Sequence, residues 1–305
     1  MKIDKLVPHL TYKVWGGEKL QKLKSPKMIG EQSDPLGETW EVSRHRDGSS
    51  KTLNGASLAE LYSEKELPYL VKFIDTAANL SVQVHPDDAY ARKNENDLGK
   101  TECWIIIDAA PGAGIYLGLK EGVTKDQFEK YIKENKNVNE LLNFYEVKSG
   151  DFFFVPAQTI HAIGENVTLC EVQQSSGITY RVWDWNRLGL DGKPRELHVE
   201  KALDVIDFSK DHNRDSYFQY QENCWKESTL ELANHADFKV DCFNMKKGEE
   251  LKLESNSRVS SLVLIEGSLE VGELKLGKYE CMAVSNIKDD LYVKLSGDSK
   301  FIVVS

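Results

Sequence analysis

Short segments in which apolar and polar positions alternate dominate this chain and predict β-strands. Most are rich in β-branched and aromatic residues and are bounded by Gly, Pro, Asn or Asp. In the first two thirds of the chain such segments occupy residues 38–44, 69–75, 80–85, 102–108, 114–119, 151–155, 167–174 and 178–185. Further segments follow at 260–266, 269–271, 279–284, 291–295 and 301–304. Many short strands joined by tight turns predict a mainly β fold, either a sandwich or a barrel.

Helical patterns are few and confined to short stretches. Ser57 and Thr124 each begin a capping box, in which the hydroxyl accepts a backbone N–H that would otherwise lack a partner. Residues 137–140 repeat the pattern, and a short helix is predicted over 86–97 because Pro86 suits a first helical turn. The sequence therefore predicts helices only as short insertions between strands.

A polar stretch near residues 207–215 interrupts the strand pattern and is typical of a linker. The chain has 305 residues, which is longer than one hydrophobic core usually supports. We therefore predict a first domain over residues 1–206 that carries the function, and a second β-domain over 207–305. The second is expected to be structural, or at most a lid, because it has no histidine after His235 and no cluster of metal ligands.

Composition and charge narrow the class of protein. The formal net charge of −10 argues against nucleic acid or an anionic membrane as a partner, because no basic field is present. No apolar run reaches membrane-spanning length, and the first residues lack the apolar stretch of a signal peptide. The five cysteines are scattered and form no CxxC pair, which favours reduced, buried thiols. These features predict a cytoplasmic enzyme.

Four residues on or near predicted strands form a ligand set suited to a transition metal. Gln83 and His85 are two positions apart on one strand, so their side chains leave the same face. Glu102 begins another strand, and His161 follows a strand that ends at Pro156. Two imidazoles, a carboxylate and an amide oxygen suit zinc, which in enzymes keeps a position for water or substrate.

Each of these residues also has an ordinary structural explanation when considered singly. A lone Gln on a strand usually makes hydrogen bonds, a lone His is more often structural, and Glu102 could simply pair with Lys100. Their combination on neighbouring strands of a predicted barrel favours a metal site. The remaining histidines lack this context: His9, His45, His198, His212 and His235.

Several runs of sequence carry a resemblance to known families. Residues 150–156 followed by His161 resemble the second motif of the cupin superfamily, whose barrels hold a metal on His and Glu side chains. The runs SVQVHPDD, GKTECW, VPAQTIHAIG and TYRVWDWNR together resemble type I mannose-6-phosphate isomerases in their short bacterial form. Gln83 stands where most cupins have His, and an insertion displaces the Glu ligand; both departures agree with the narrower family. Only residues 120–145 could supply the extra helical domain of longer members, so that domain is expected to be absent or vestigial.

The resemblance implies a fold and an activity. The fold is a cupin-type β-barrel, or jelly roll, with short helical insertions and a second, degenerate cupin-like β-domain at the C-terminus. The activity is that of a zinc-dependent aldose–ketose isomerase, with one zinc ion per chain, that interconverts mannose 6-phosphate and fructose 6-phosphate. The resemblance also implies the metal ligands Gln83, His85, Glu102 and His161, the active-site arginine Arg181, and the pocket residues Ser81, Lys72, Lys100, Glu171 and Arg187.

The implied reaction moves a carbonyl between C1 and C2, so a base must carry a proton between two carbons. Glu171 is the predicted base, with an ordinary ion-paired carboxylate as the open alternative; Lys100 or a metal-bound water could serve instead. Arg181 stays charged and is better suited to hold substrate oxygens or phosphate. Arg187 is a phosphate candidate from the same loop. Trp183 and Trp185 are predicted to leave the strand face of Arg181, where they could wall the pocket or fill the core.

Two other classes compete with this interpretation. One is a metal-binding cupin that binds or senses sugars without turnover, and the complete ligand set and basic residues favour the enzyme over it. The other is an iron-dependent cupin dioxygenase, which generally needs a more open, His-rich site. The expected partner is a small-molecule sugar phosphate, and the protein is expected to be a monomer or a homodimer.

Overall fold

The computed structural model describes residues 2–24, 34–254, 257–287 and 290–305. Within these ranges the strands, numbered along the chain, are β1 (Lys2–Val7), β2 (His9–Gly17), β3 (Leu36–Val42), β4 (Arg44–His45), β5 (Gly48–Ser49), β6 (Lys51–Thr52), β7 (Tyr69–Asp75), β8 (Val82–Val84), β9 (Glu102–Ala109), β10 (Gly114–Leu119), β11 (Leu142–Glu146), β12 (Phe152–Val155), β13 (His161–Ile163), β14 (Val167–Gln174), β15 (Tyr180–Trp183), β16 (Thr229–Asn234), β17 (Lys239–Met245), β18 (Glu250–Leu253), β19 (Ser260–Glu266), β20 (Leu269–Val271), β21 (Leu274–Leu276), β22 (Cys281–Ser285), β23 (Leu291–Leu295) and β24 (Ser299–Val304). The α-helices are Lys19–Leu23, Leu58–Leu61, Asp88–Asn94, Lys125–Lys133 and Val199–Val205, and the 3-10 helices are Val138–Leu141, Asp211–Asn213 and Cys224–Lys226. The mainly β prediction is therefore confirmed.

The strands form stacked antiparallel sheets. A five-stranded sheet has the order β11-β10-β13-β8-β15 and faces a six-stranded sheet of order β12-β9-β14-β7-β3-β2. The other face of the six-stranded sheet packs on a seven-stranded sheet of order β16-β17-β24-β19-β22-β1-β6. A four-stranded sheet of order β18-β23-β20-β21 covers the far side of the seven-stranded sheet. The space between the first two sheets is the interior of the jelly roll.

The six-stranded sheet is covered on both faces, and period-2 alternation assigns each side chain to one of them. In β9, Trp104 and Ile106 pack into the core shared with the five-stranded sheet. Cys103 and Ile105 pack into the core shared with the seven-stranded sheet. Every residue of β7 and β14 is buried for the same reason. Glu102 lies two positions before Trp104, so it faces the jelly-roll interior, where the predicted site should be.

The first strand of the chain joins the C-terminal sheet. β1 pairs antiparallel with β22, with Lys2 opposite Ser285 and Lys5 opposite Met282. The alternation of apolar and polar residues does not specify that β1 pairs with β22, because the two strands are separated by almost the whole sequence. The division at residues 206 and 207 stays a prediction, and the sheet formed largely by residues 207–305 also contains residues from the N-terminus.

The predicted helix starts are partly confirmed. Ser57 accepts the N–H of Ala59, and Glu60 accepts the N–H of Ser57, as a capping box requires. The start of the predicted 86–97 helix is wrong, because the helix begins at Asp88 with Asp87 as its N-cap. Pro86 therefore lies before the cap. No helix in the described ranges is long and apolar enough to cross a membrane.

The strand predicted over 178–185 is shorter than expected and ends at Trp183. A register shift between Arg181 and Trp183 interrupts its pairing with β8. Trp183 packs with Val182 in the core on the outer side of the five-stranded sheet, whereas Arg181 lines the interior. Trp185 lies beyond the strand with φ of 58°. The prediction that both tryptophans share the face of Arg181 is wrong, because a β-bulge reverses the alternation.

Tyr69, in β7, connects the six-stranded sheet to the seven-stranded sheet through its hydroxyl. The oxygen lies 2.8 Å from Val259 O, 2.8 Å from Ser261 Oγ and 3.0 Å from Val304 O. Burial raises the pKa of Tyr69, so the hydroxyl keeps its proton and can donate it to one of these carbonyls. This buried contact couples the sheet that carries the site to the sheet behind it.

Replacing Tyr69 with Phe should lower the free energy of unfolding by about 1–3 kcal/mol, because a buried acceptor loses its donor. Denaturant unfolding measures the change. Tyr292→Phe is the matched control, since its side chain is 40% exposed and its loss should stay within ~0.5 kcal/mol. Equal losses for both variants would contradict the anchoring role of Tyr69.

Candidate active site and metal centre

The predicted metal ligands meet inside the jelly roll because two facing sheets supply them. Gln83 lies at the centre of β8, and His161 at the start of β13 is its direct cross-strand partner. His85 follows β8 immediately, and Glu102 begins β9 in the opposite sheet. Ligand atoms of His85, Glu102 and His161 all lie within 4.8 Å of one another. These three residues therefore form a group that could hold a metal ion.

Backbone carbonyls fix the protonation of the two imidazoles. His85 Nδ1 lies 2.7 Å from Ile178 O, and His161 Nδ1 lies 2.9 Å from Thr159 O. Because a carbonyl oxygen only accepts, each Nδ1 carries the proton and each Nε2 presents a lone pair. The Nε2 atoms of His85 and His161 lie 3.6 Å and 3.5 Å from the two Glu102 oxygens. In metal-binding histidines, a hydrogen bond from the ring nitrogen that does not bind the metal orients the imidazole, and the two Nδ1–carbonyl contacts are of this kind.

Glu102 is fully buried, and its charge needs a cation. Among the described residues, no donor makes a well-directed hydrogen bond to either of its carboxylate oxygens. The ammonium of Lys100 is nevertheless close, 2.8 Å from Glu102 Oε2 and 3.0 Å from His85 Nε2. Burial is costly for a carboxylate, and burial together with the charge of Glu171 raises the pKa of Glu102 even with Lys100 beside it. The donor set and its buried carboxylate therefore fit a divalent cation.

The protonation of the ligands also suits a metal. Burial lowers the pKa of His161 to about 4 and that of His85 well below its usual value. Both rings are therefore neutral, as ligands must be. The Gln83 amide nitrogen lies 3.3 Å from His161 Nε2. Rotation of that amide about its last bond would present its oxygen at the same place, so Gln83 also converges on the centre.

A pocket adjoins the ligands between the two sheets. Its cationic lining residues come from both sheets and from two loops, and they outnumber the carboxylates: Lys13, Lys72, Lys100, Arg181 and Arg195 against Glu38 and Glu171. The lining also includes Ser81 and Gln83. The structure thus brings together the predicted pocket residues Ser81, Lys72, Lys100, Glu171 and Arg181.

Glu171 is held by groups that favour its ionised form. Lys72 Nζ lies 3.2 Å from Glu171 Oε1, and Trp104 Nε1 donates to Oε2 at 3.1 Å. Burial by itself would raise the pKa of Glu171, but the charges of Lys72 and Lys100 outweigh burial and the net pKa is lowered. The structure thus places an ionised, ion-paired carboxylate inside the pocket, and its service as a base stays a prediction.

Arg181 lies on β15 opposite Gln83 and points into the pocket. Its Nη1 donates to Glu196 O at 2.8 Å, and its buried Nε has no hydrogen-bond partner among the described residues. Burial lowers the pKa of Arg181, and the charge of Arg195 adds to this effect. A buried N–H without a partner is costly, so a substrate oxygen would satisfy it.

Comparisons with known proteins show which family this chain resembles. The sequence model for the catalytic domain of type I phosphomannose isomerases matches residues 3–108. A probable mannose-6-phosphate isomerase of Bacillus subtilis strain 168, GmuF, is 42% identical over 216 residues, which cover 66% of this chain and 67% of that protein. The mannose-6-phosphate isomerase ManA of the same strain is 35% identical over 281 residues, which cover 87% of each chain. This chain belongs to the type I phosphomannose isomerase family.

Solved structures agree with this family membership. The crystal structure of the mannose 6-phosphate isomerase from Bacillus subtilis matches with a TM-score of 0.83 and 29% identity over 100% of both chains. The family and the cupin-type fold predicted from the sequence are therefore confirmed. This phosphomannose isomerase family member is accordingly an enzyme, as its sequence predicts.

Two arginines lie near the pocket, and the phosphate contact predicted for Arg187 stays a prediction. Arg187, predicted to contact phosphate, pairs with Asp184 through Nε at 3.2 Å and Nη2 at 2.9 Å. The pocket lining in the described part of the chain includes Arg195 and not Arg187. Sequence reasoning missed Arg195 because it follows a polar turn outside the strand pattern. The sequence signal that could have found Arg195 is its position eight residues after Arg187, the end of the TYRVWDWNR run.

Proposed function

We propose that this chain is a zinc-dependent mannose-6-phosphate isomerase with one zinc ion held by Gln83, His85, Glu102 and His161. The observation that carries the proposal is the buried Glu102 carboxylate between two Nε2 lone pairs, at the edge of a cationic pocket. Relatives at 42% and 35% identity are named mannose-6-phosphate isomerase, which supports the same substrate.

A mixture of imidazole, carboxylate and amide oxygen favours zinc over magnesium or calcium, which prefer oxygen ligands alone. When bound, such a cation supplies a Lewis acid that offsets negative charge developing on the sugar oxygens. The neutral imidazoles supply donors without proton loss, because the Nδ1 protons already face carbonyls. Burial and the charge of Glu171 raise the pKa of Glu102, so a bound cation would favour its ionised form.

Different residues of the pocket transfer the proton, position the base and bind the sugar. Glu171 accepts the proton from one sugar carbon and returns it to the other, since it is ionised and buried beside the ligands. Lys72 and Trp104 keep its carboxylate in place. The sheets on either side exclude bulk water, which would otherwise exchange the proton. Ser81, 3% exposed, offers a hydroxyl to the sugar.

The substrate's phosphate is drawn in by local positive charge. The pocket lining has five cationic residues and two carboxylates, and two further carboxylates, Glu102 and Asp184, pair with Lys100 and Arg195. The local balance stays positive within a chain whose net charge is −10. Such a local field attracts an anion despite the sign of the whole molecule. Arg181 and Lys100 hold the anionic sugar by charge-assisted hydrogen bonds, and Arg181 does so as a planar fork that cannot act as an acid.

Zinc content and turnover should depend on each other. We expect gently purified protein to contain one zinc ion per chain by elemental analysis, and a coupled assay to detect conversion of mannose 6-phosphate. Chelation should remove the activity and added zinc should restore it, because the ion stabilises the developing charge. Finding iron alone, or no transition metal, in active protein would refute the zinc assignment. Metal-loaded protein that binds the sugar phosphate without turnover would indicate a sugar-sensing cupin instead.

A further inference from the structure

One carboxylate binds both ends of the loop 187–195. Arg187, at its start, donates to Asp184 Oδ1 through Nε and Nη2. Arg195, at its end, donates to Asp184 Oδ2 through Nε at 2.7 Å and to Oδ1 through Nη2 at 2.5 Å. The Asp184 side chain is only 7% exposed, so these contacts are shielded from solvent. Asp184 therefore joins the two ends of the loop at its base.

The loop itself is closed by backbone contacts. Leu188 and Pro194 form an isolated β-bridge, Gly189 N donates to Lys193 O at 2.8 Å, and Gly192 N donates to Gly189 O at 3.0 Å. These bonds make the loop a small hairpin rather than an open coil. The position of Arg195 is consequently tied to the position of Asp184 and of the hairpin base.

The turn that precedes the loop is strained. Trp185 and Asn186 have φ values of 58° and 53°, in the left-handed region that a bulky aromatic residue rarely adopts. Trp185 Nε1 donates to Leu80 O at 2.6 Å, which anchors the turn to the pocket wall. Arg187 N donates to Asp184 O at 3.2 Å across the turn. Such strain persists only where surrounding contacts enforce it, and it concentrates at functional sites.

The two arginines that share Asp184 differ in what else they reach. Arg195 lines the substrate pocket together with Arg181, whereas Arg187 is not part of that lining in the described residues. Asp184 engages Nε and Nη2 of Arg195 and leaves Nη1 for another acceptor. Since one carboxylate is shared by two guanidinium groups, the cluster keeps a net positive charge at the pocket.

We propose that Asp184 is a positioning residue that holds Arg195 against the phosphate of the sugar substrate, while Arg187 supports Asp184 without touching substrate. The proposal rests on the proposed function, because it takes a sugar phosphate as the ligand. It moves the phosphate contact from Arg187 to Arg195. The strained turn and the hairpin base are the parts of the fold that keep Asp184 in place.

A double-mutant cycle tests whether Asp184 acts through Arg195. The KM for mannose 6-phosphate, kcat, and the inhibition constant of inorganic phosphate are measured for wild type, Arg195→Ala, Asp184→Asn and the double variant. Arg195→Ala should raise the KM and the inhibition constant roughly ten- to a hundred-fold, as expected for one charge-assisted contact. Asp184→Asn should raise both as well, and should add little in the Arg195→Ala background. A merely structural Asp184 would give the same factor in both backgrounds.

Matched controls separate the possible failures. Lys193→Ala removes an exposed positive charge from the same hairpin and should leave all three constants within about two-fold of wild type. If Asp184→Asn fails to fold, Arg187→Ala replaces it in the cycle, with Arg187→Lys expected to restore part of the loss. Unchanged constants in Arg195→Ala, with wild type active on mannose 6-phosphate, would overturn this inference alone. Wild type without that activity would instead refute the proposed function.

Discussion

Replacing His85 or His161 with Ala should abolish turnover of mannose 6-phosphate while the protein stays folded. The two Nε2 atoms face opposite oxygens of Glu102, so loss of either should remove one of the proposed metal ligands. A bound divalent cation contributes several kcal/mol of charge stabilisation in enzymes of this kind. The rate should therefore fall roughly a thousand-fold or more. The coupled assay and the zinc content of each variant measure the effect.

His212→Ala is the control for these two variants. His212 lies in the polar stretch after residue 206, its side chain is 47% exposed, and it pairs with Asp207 rather than with the ligands. It should retain activity and zinc content close to wild type. Full activity in the His85 or His161 variants, or equal loss in all three, would show that the centre described here is not the catalytic one. Circular dichroism distinguishes loss of the ion from loss of the fold.

Wild-type protein should use mannose 6-phosphate far more efficiently than free mannose. Each charge-assisted contact to the phosphate contributes ~1.5–3 kcal/mol. Two such contacts correspond to roughly a hundred- to ten-thousand-fold in kcat/KM. Arg181→Ala should narrow this ratio, because Arg181 lines the pocket with a buried Nε that no described residue satisfies. If Arg181 also orients the reacting carbons, its loss should lower kcat as well as raise KM.

The comparison of the two sugars is made in wild type, in Arg181→Ala and in a control, Arg214→Ala. Arg214 is an exposed cation that pairs with Asp211 and is not among the residues that line the pocket, so its loss tests the effect of net charge alone. It should leave the ratio of efficiencies unchanged. A wild type that handles both sugars alike would mean that the pocket does not bind phosphate. The chain would then be an isomerase for neutral sugars.

Much of the candidate metal centre could be predicted from the sequence because the spacing of its residues is local to each strand. The two-residue spacing of Gln83 and His85 places both side chains on one face of a strand, whatever surrounds it. The donor types of those residues, with Glu102 and His161, restrict the metal. The same alternation predicted the mainly β fold, since apolar and polar positions record which face of each strand is buried.

Other features needed the tertiary structure because they join residues that are distant in sequence or break the local repeat. The bulge after Arg181 turns Trp183 toward the outer core. The two-residue alternation of a strand cannot reveal where an extra residue is inserted. The pairing of β1 with β22 and the shared contacts of Asp184 depend on which surfaces meet on folding. The sequence by itself predicted many of the strands, although not β1, β2, β16 or β17, and the kinds of ligand that could bind a metal. Tertiary packing decided which sheet faces bring those residues together. It also decided that Arg195, and not Arg187, lines the pocket in the described part of the chain. Both outcomes depend on contacts between distant parts of the chain, which local spacing does not encode.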